Sequence, residues 1–568
     1  MLIISLISSM SLLYDRPLNT ASATSEGPTA TFEPTINLTE DQPPIFVEED
    51  VDNHSVSSEG QNVYVVWGAA NGTAYFRASH DGGKTFGAPM ILSIFGPAPR
   101  IISTGEHVYV EYINNHSHLS FRASHDYGVT FDAPIDLGPL GGVIDGTPYD
   151  GQMALSGSNV YLTWIRVDDV GGGKVDGHFY FRASHDNGVT FDPLMSLITF
   201  DDMTSLCCLQ KIAAYGNQVY VVMSGNLLRS SNDNGVTFGP IIDLGSTAID
   251  IAASGSNLYH LGNLFIRVSH DGGATFDPAF NLGSPVSSPF PQMAVIPAGG
   301  GTSDDAVYVV WNNGDSIRFR ASNDSGATFG DPITLAGGDT DKPRIEVTGT
   351  DVYVIFRSFG SDSPKIFFTM SSDRGATFGP LIEVVDSDVY LNVPKLAASS
   401  STNADSEKTD NIFVTWQEEN RGTLAGDVFL RAARFIPLQH DLNLFEGTNA
   451  SDLILNLGQE ARAVSNTTDP ALSQVNFTWN NPSGEPVHTE LVPLSLTGQA
   501  EDTFTPDEVG RWTVYADFGN GVVKQQTFDV RLLVIPESPI GTLALIASSM
   551  TALTLYGIRG IHRRKQGK

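Results

Sequence analysis

Ser184-His185-Asp186-Asn187-Gly188-Val189-Thr190-Phe191 is one of seven copies of an octapeptide, Ser-x-Asp-x-Gly-x-Thr-Phe, whose recurrence decides the fold. The other copies occupy residues 79–86, 124–131, 231–238, 269–276, 322–329 and 371–378, at intervals of 38 to 60 residues. Periods of this size are the signature of propellers and solenoids, in which each repeat is one supersecondary unit. The octapeptide reads as a turn: Asp accepts hydrogen bonds from nearby backbone N–H groups, Gly permits positive φ, and Phe packs between sheets. Asp81, Asp126, Asp186, Asp233, Asp271, Asp324 and Asp373 are therefore expected to be structural rather than catalytic.

The same strands return around each box. Upstream is an alternating run of the Val-Tyr-Val-Val-Trp type, centred on Tyr64, Tyr109, Tyr161, Tyr220, Tyr259, Tyr308, Tyr353 and Phe413, whose period of two predicts a half-buried strand. Next comes a Phe-Arg-Ala-Ser type strand carrying Arg77, Arg122, Arg182, Arg229, Arg267, Arg320 and Arg431, with Thr369 as the exception. A third strand follows the box. A fourth precedes the Tyr strand, as in Pro99-Arg100-Ile101-Ile102, and four strands make one propeller blade. The eighth unit lacks a box and a following strand, but residues 31–38 match residues 275–282 in pattern without a gap. The expectation is an all-β, eight-bladed propeller over residues 31–435, closed by its N-terminal strand so that no sheet edge is left open.

The repeats resemble the Asp-boxes of sialidases and other BNR-repeat propellers. The resemblance implies boxes at outer hairpins, away from the ligand face. In sialidases it also implies an arginine triad for the sugar carboxylate, a Tyr nucleophile with a nearby Glu, and an Asp acid/base. The nearest text to the family's first arginine motif is Pro99-Arg100-Ile101 and Pro343-Arg344-Ile345, without the flanking aromatic and proline. Eight repeated Tyr strands offer too many candidates for one Tyr–Glu pair; Glu111, Tyr112, Tyr149 and Asp150 break the repeat. No catalytic position is assigned.

A residue with a function of its own should break the repeat. Nine residues before each Tyr, allowing insertions in blades six and eight, stand Ser55, Arg100, Gln152, Lys211, Asp250, Gln292, Arg344 and Lys395. All are polar and four are cationic in a chain of net charge −32. At a channel mouth such a ring would hold a glycan carboxylate or sulfate; otherwise its members are solvated rim residues.

That acidity makes nucleic acid an unsuitable partner. Cys207 and Cys208 are the only cysteines, which excludes a disulfide framework and a four-thiolate zinc site and leaves two thiols or a vicinal disulfide. No HExxH, Walker loop or Cys/His cluster is present, so neither a metal nor a cofactor is expected. Residues 1–23 read as a signal peptide ending at Ala21-Ser22-Ala23. The 19 uncharged residues 540–558 read as a transmembrane helix, and the basic tail 559–568 as cytoplasmic. Pro536-Glu537-Ser538-Pro539 with the helix and tail resembles the PEFG-type sorting signals of archaeal surface proteins, with Ser538 where that family has Phe. Between them, residues 438–535 alternate in two Trp-bearing runs and read as an immunoglobulin-like β-sandwich stalk. Asn37, Asn53, Asn71, Asn115, Asn323, Asn449, Asn466 and Asn476 head glycosylation sequons.

The chain is expected on the cell surface, its partners a glycan or surface-layer component and, through its helix, the membrane. Binding is the favoured function; an exo-acting sialidase and a structural envelope role are the alternatives, since fold alone does not choose.

Overall fold

The computed structural model describes residues 30–531 except 41, 47–52, 97–98, 115, 141–150, 173, 204–209, 284–289, 299–303, 360–362, 388, 403–407, 420–424, 436–439, 447–448, 451–453, 468–471, 496–497 and 519–522. The segments expected to be a signal peptide, a transmembrane helix, a sorting segment and a basic tail, together with Cys207, Cys208, Asn115, Tyr149 and Asp150, lie outside the described residues. No described helix is long and apolar enough to cross a membrane. The chain divides into two compact units at Pro437/Leu438.

The first unit is a propeller of eight antiparallel sheets, seven of them four-stranded and contiguous in sequence. Their innermost strands are His54–Glu59, Arg100–Thr104, Gln152–Ser156, Lys211–Tyr215, Asp250–Ser254, Gln292–Ile296 and Thr340–Thr348. The eighth sheet starts at Lys395–Thr402 and is completed by the N-terminus: Thr31–Phe32, Ile36–Asn37 and Ile45–Phe46 all pair with Ala425–Phe435. The innermost strands lie side by side around a channel, and the ring closes where Lys395–Thr402 meets His54–Glu59. There Ser399 Oγ and Asn411 Nδ2 both donate to Gly60 O at 2.9 Å. Between blades two and three the seam is held further out, by Val167 N donating to Leu140 O (3.0 Å) and Trp164 Nε1 to Pro139 O (3.1 Å).

The second strand of each blade corrects the half-buried expectation. In Asn62–Gly68 the five residues Val63, Tyr64, Val65, Val66 and Trp67 are all fully buried, although alternation sends them to opposite faces. Each blade packs against a neighbour on both sides, so neither face meets water. Phe76 belongs to blade one, yet its ring meets the box Phe131 of blade two edge-on at 4.9 Å; Phe121 with Phe191 and Phe181 with Phe238 repeat the contact. Such edge-to-face pairs are the geometry aromatic quadrupoles favour.

In the second unit a four-stranded sheet (Asn449–Ala450, His440–Glu446, Ala461–Thr467, Gln499–Phe504) shares one core with a five-stranded sheet. The latter runs in the order Ile454–Asn456, Val523–Arg531, Gly510–Asp517, Gln474–Asn480, Pro486–Pro493. Trp479 and Trp512 are fully buried between them. Their indole N–H groups are satisfied by Asp502 Oδ2 (2.7 Å) and Glu508 O (3.1 Å).

Candidate ligand site at the channel mouth

The boxes fix which end of the propeller is structural. In the third blade Asp186 Oδ1 accepts from Ser184 Oγ (2.8 Å) and Thr190 N (2.9 Å), and Oδ2 accepts from Thr190 Oγ1 (2.6 Å). All seven boxes repeat this pattern, with Thr Oγ1 donating at 2.5–2.6 Å. Hydrogen bonding to the ionised form holds Asp233 below the usual carboxylate range and Asp271 at about 2. The box Gly is required twice over: Gly188 has φ of 83°, and a Cβ there would lie 2.8 Å from Phe121 of the preceding blade. Each box turn is hydrogen-bonded to the hairpin between the first two strands of its own blade, as in Asn187 N to Ser158 O at 2.9 Å. The boxes therefore stand at the end of the propeller opposite the start of each innermost strand.

The repeated arginines are clamps. Arg229 donates through Nε to Gly239 O of its own blade (2.9 Å) and through Nη1 to Leu197 O of the preceding blade (2.8 Å). Arg77 reaches Leu38 O, on the N-terminal segment, at 2.9 Å, and Arg431 reaches Glu33 O at 2.9 Å. At the exceptional position Thr369 Oγ1 donates to Gly379 O at 2.9 Å, replacing only the bond within the blade.

At the other end, all eight ring positions are equivalent by strand register. Ser55 faces Val66, Arg100 faces Glu111, Gln152 faces Thr163 and Lys211 faces Val222. Asp250 faces Leu261, Gln292 faces Val310, Arg344 faces Ile355 and Lys395 faces Thr415. In each case the partner lies two residues beyond the central Tyr or Phe. All eight side chains are partly exposed.

Charge converges inside this ring. Burial pushes the Asp250 carboxyl up, while Lys211 of blade four and Arg344 of blade seven pull it down. Glu346, two residues beyond Arg344, is pushed up to about 7, first by burial and then by the negative charge of Asp250. Blade six separates these two acids in sequence, so their interaction joins two non-adjacent blades. Both stay partly solvent-accessible although protein surrounds them, as suits side chains lining a narrow channel. The ring legible in the sequence does not include Glu346, which stands two residues further along its strand, in register with Tyr353. At its own register stand Ser57, Ile102, Ala154, Ala213, Ala252, Ala294 and Ala397, so it is the one charged member of its layer.

The rim beside blade seven is stiffened by cations whose positions are fixed. Arg357 is 2% exposed and binds Asp341 through Nε (2.9 Å) and Nη2 (2.8 Å), with its guanidinium 4.2 Å from the Phe359 ring centre. Lys342 Nζ lies 3.7 Å from the Phe290 ring centre. In blade two, Glu111 is 1% exposed in register with Arg100, and a Cβ on Gly151 would come within 2.2 Å of its carboxylate. Glu111 is thus packed against the start of blade three and the buried Tyr112 against blade one. Clefts between successive boxes, one of about 560 Å³ lined by Asp324, Asp331 and Arg374, lie at the structural end.

Among the sequons, Asn71 and Asn323 are exposed and Asn53, Asn466 and Asn476 are partly buried, while the side chain of Asn449 is not described. Asn37 uses Oδ1 to accept from Thr39 N and Oγ1 at 2.9 and 3.0 Å in the closing segment.

No protein-family model matches the chain, and no curated protein matches it. Among solved structures it is similar to the WD40 domain of SCAP from fission yeast, at 10% identity over 72% of this chain and 98% of that one, with a TM-score of 0.40. It is also similar to a polysaccharide lyase described as an ulvan lyase (12%, 72% and 95%, TM-score 0.34). A third is an Aleuria aurantia lectin mutant in complex with Fucalpha1-6GlcNAc (13%, 60% and 97%, TM-score 0.30). Likeness this slight assigns no family, and the propeller rests on the sheet order and register above.

Proposed function

We propose that the first unit is a glycan-binding propeller of the sialidase-like Asp-box kind, displayed outside the cell and taking an acidic glycan at the channel mouth. The observation that carries this reading is the register equivalence of Arg100, Lys211, Arg344 and Lys395, four cations at one level of the channel, at the end away from the boxes. Charge-assisted hydrogen bonds from such groups suit carboxylate or sulfate oxygens, and planar arginines take them bidentately. Surface display is supported by the apolar residues 2–13, the uncharged residues 540–558 and the cations behind them. The second unit would then be an immunoglobulin-like stalk, and the PEFG-like ending a signal of archaeal type.

A second reading, glycoside hydrolysis, is favoured by Asp250 and Glu346. A carboxyl held near 7 beside a second acid is suited to donate a proton to a leaving oxygen. A glycan array run beside a fluorogenic sialoside assay separates the readings. Binding without turnover, weakened in Arg344→Ala, supports the first. Turnover abolished in Glu346→Gln replaces it with the second, and neither binding nor turnover removes both.

A further inference from the structure

The second unit carries a chemistry that its role as a stalk does not use. Pro486–Pro493 is the terminal strand of the five-stranded sheet, and Gln499–Phe504 is the terminal strand of the four-stranded sheet. His488 and Glu490 stand two residues apart and so on one face of the first strand, while Asp502 comes from the second. Across this open side of the sandwich His488 Nε2 lies 3.3 Å from Asp502 Oδ2 and 3.6 Å from Glu490 Oε2. One donor atom from each of the three residues can be chosen so that all lie within 4.8 Å of one another.

We propose that His488, Glu490 and Asp502 bind a divalent transition-metal ion of the zinc class, which staples the two sheets at their free edges. Three features beyond proximity support the assignment. Donors about 2.0–2.1 Å from a tetrahedral zinc are separated from one another by about 3.3 Å, close to the two spacings found here. Asp502 is 5% exposed and accepts the Trp479 indole N–H at 2.7 Å, the kind of outer hydrogen bond that orients a ligating carboxylate. The His488 ring is held flat against Phe504, with centroids 5.4 Å apart. One imidazole with two carboxylates suits zinc or a neighbouring transition ion better than calcium, which takes six to eight oxygens. No disulfide can tie the sheets in this unit, because both cysteines of the chain lie in the other one.

The test is zinc content and thermal unfolding of the full chain after chelator treatment and dialysis against limiting zinc. The expected result is one tightly held zinc per chain and a saturable rise in the second unit's Tm, with calcium and magnesium giving none. Glu490→Ala, at a side chain 59% exposed, leaves the fold intact and should weaken zinc at least about tenfold, and His488→Ala should abolish it. Zinc uptake and Tm response unchanged in Glu490→Ala, or zinc retained in the triple alanine variant, would overturn the site in favour of a His–carboxylate cluster and adventitious binding. So would the absence of any zinc-dependent change in the wild type.

Discussion

The Tyr353 hydroxyl donates a 2.6 Å hydrogen bond to Asp410 Oδ2, across the seam between blades seven and eight. Asp410, itself fully buried, also accepts from Ser400 Oγ at 2.5 Å and from Lys408 Nζ at 3.3 Å. Tyr259 and Asp305 repeat the relationship between blades five and six at 2.5 Å, whereas the equivalent Tyr109 hydroxyl is buried with no protein partner. Tyr353→Phe should therefore cost about 1–3 kcal/mol, because it strips a partner from a buried carboxylate. Tyr109→Phe should be close to neutral. Chemical unfolding of both variants measures the difference, and equal costs would contradict it.

The same seam predicts a pH dependence. Asp351 is pushed up to about 7 by burial and the charge of Asp410, against the pull of Lys408. A carboxyl with a raised folded-state pKa contributes stability that is fully present below about 4 and is lost as pH rises through about 7. Asp351→Asn should flatten that slope and stabilise the protein at pH 8 by about 1 kcal/mol. A variant less stable than wild type at pH 8 would show that the Lys408 ion pair dominates instead.

His260 predicts the opposite slope. It is fully buried between Phe265 and Phe276, and burial with the nearby Arg267 holds it down to about 4. A lowered histidine contributes stability present above its unfolded value of about 6.5 and lost as pH falls toward 4. His260→Phe should remove this acid sensitivity, a change of about 1–3 kcal/mol between pH 7 and pH 4. Thermal unfolding at the two pH values checks it.

Closure depends on residues that precede the first blade in sequence. Leu38 is fully buried beneath the eighth sheet, and its carbonyl anchors Arg77 of blade one. Leu38→Ala should cost about 2–5 kcal/mol, and removal of residues 1–39 should lower Tm further and speed amide exchange in Ala425–Phe435. Exchange in that strand unchanged by the truncation would mean that the ring closes without its N-terminal strand.

Most of this architecture was legible in the sequence because propeller repeats write the same chemistry into each blade. Ser184, Asp186, Gly188 and Thr190 make one closed set of bonds, and seven copies of their spacing locate seven hairpins. The match of residues 31–38 to residues 275–282 found the closing segment because strand pairing needs only pattern and length. The burial of Val63 to Trp67 on both faces was not legible, since alternation records side-chain direction and says nothing of what covers each face. At the candidate site, the register of Arg100, Lys211, Asp250, Arg344 and Lys395 could be counted from the Tyr residues. The interaction of Glu346 with Asp250 could not, because it joins non-adjacent blades and depends on channel width. The meeting of His488, Glu490 and Asp502 likewise required two sheets to be placed face to face.

The box and ring ends should separate cleanly by mutation. Asp186→Ala removes the acceptor of three hydrogen bonds at the structural end and should destabilise by about 1–3 kcal/mol while leaving ligand affinity untouched. Lys395→Ala, at a partly exposed side chain, should leave Tm within about 1 °C and lower ligand affinity. Thermal shift and glycan binding measured on the same preparations test this, and a loss of affinity in Asp186→Ala at unchanged Tm would put the ligand at the box end.

The most direct measurement is the affinity of the propeller for a sulfated or sialylated oligosaccharide, titrated from pH 6 to pH 8 in wild type, Arg344→Ala and Glu346→Gln. Loss of the guanidinium should weaken binding roughly 10- to 100-fold, the range set by a hydrogen bond to a charged group. Wild-type affinity should rise as pH falls through about 7, because Glu346 takes up a proton and one negative charge leaves the channel. Glu346→Gln should bind with the low-pH affinity at every pH. An acidic glycan bound equally well by wild type and Arg344→Ala, with a pH dependence that survives Glu346→Gln, would contradict the placement of the ligand site in this channel.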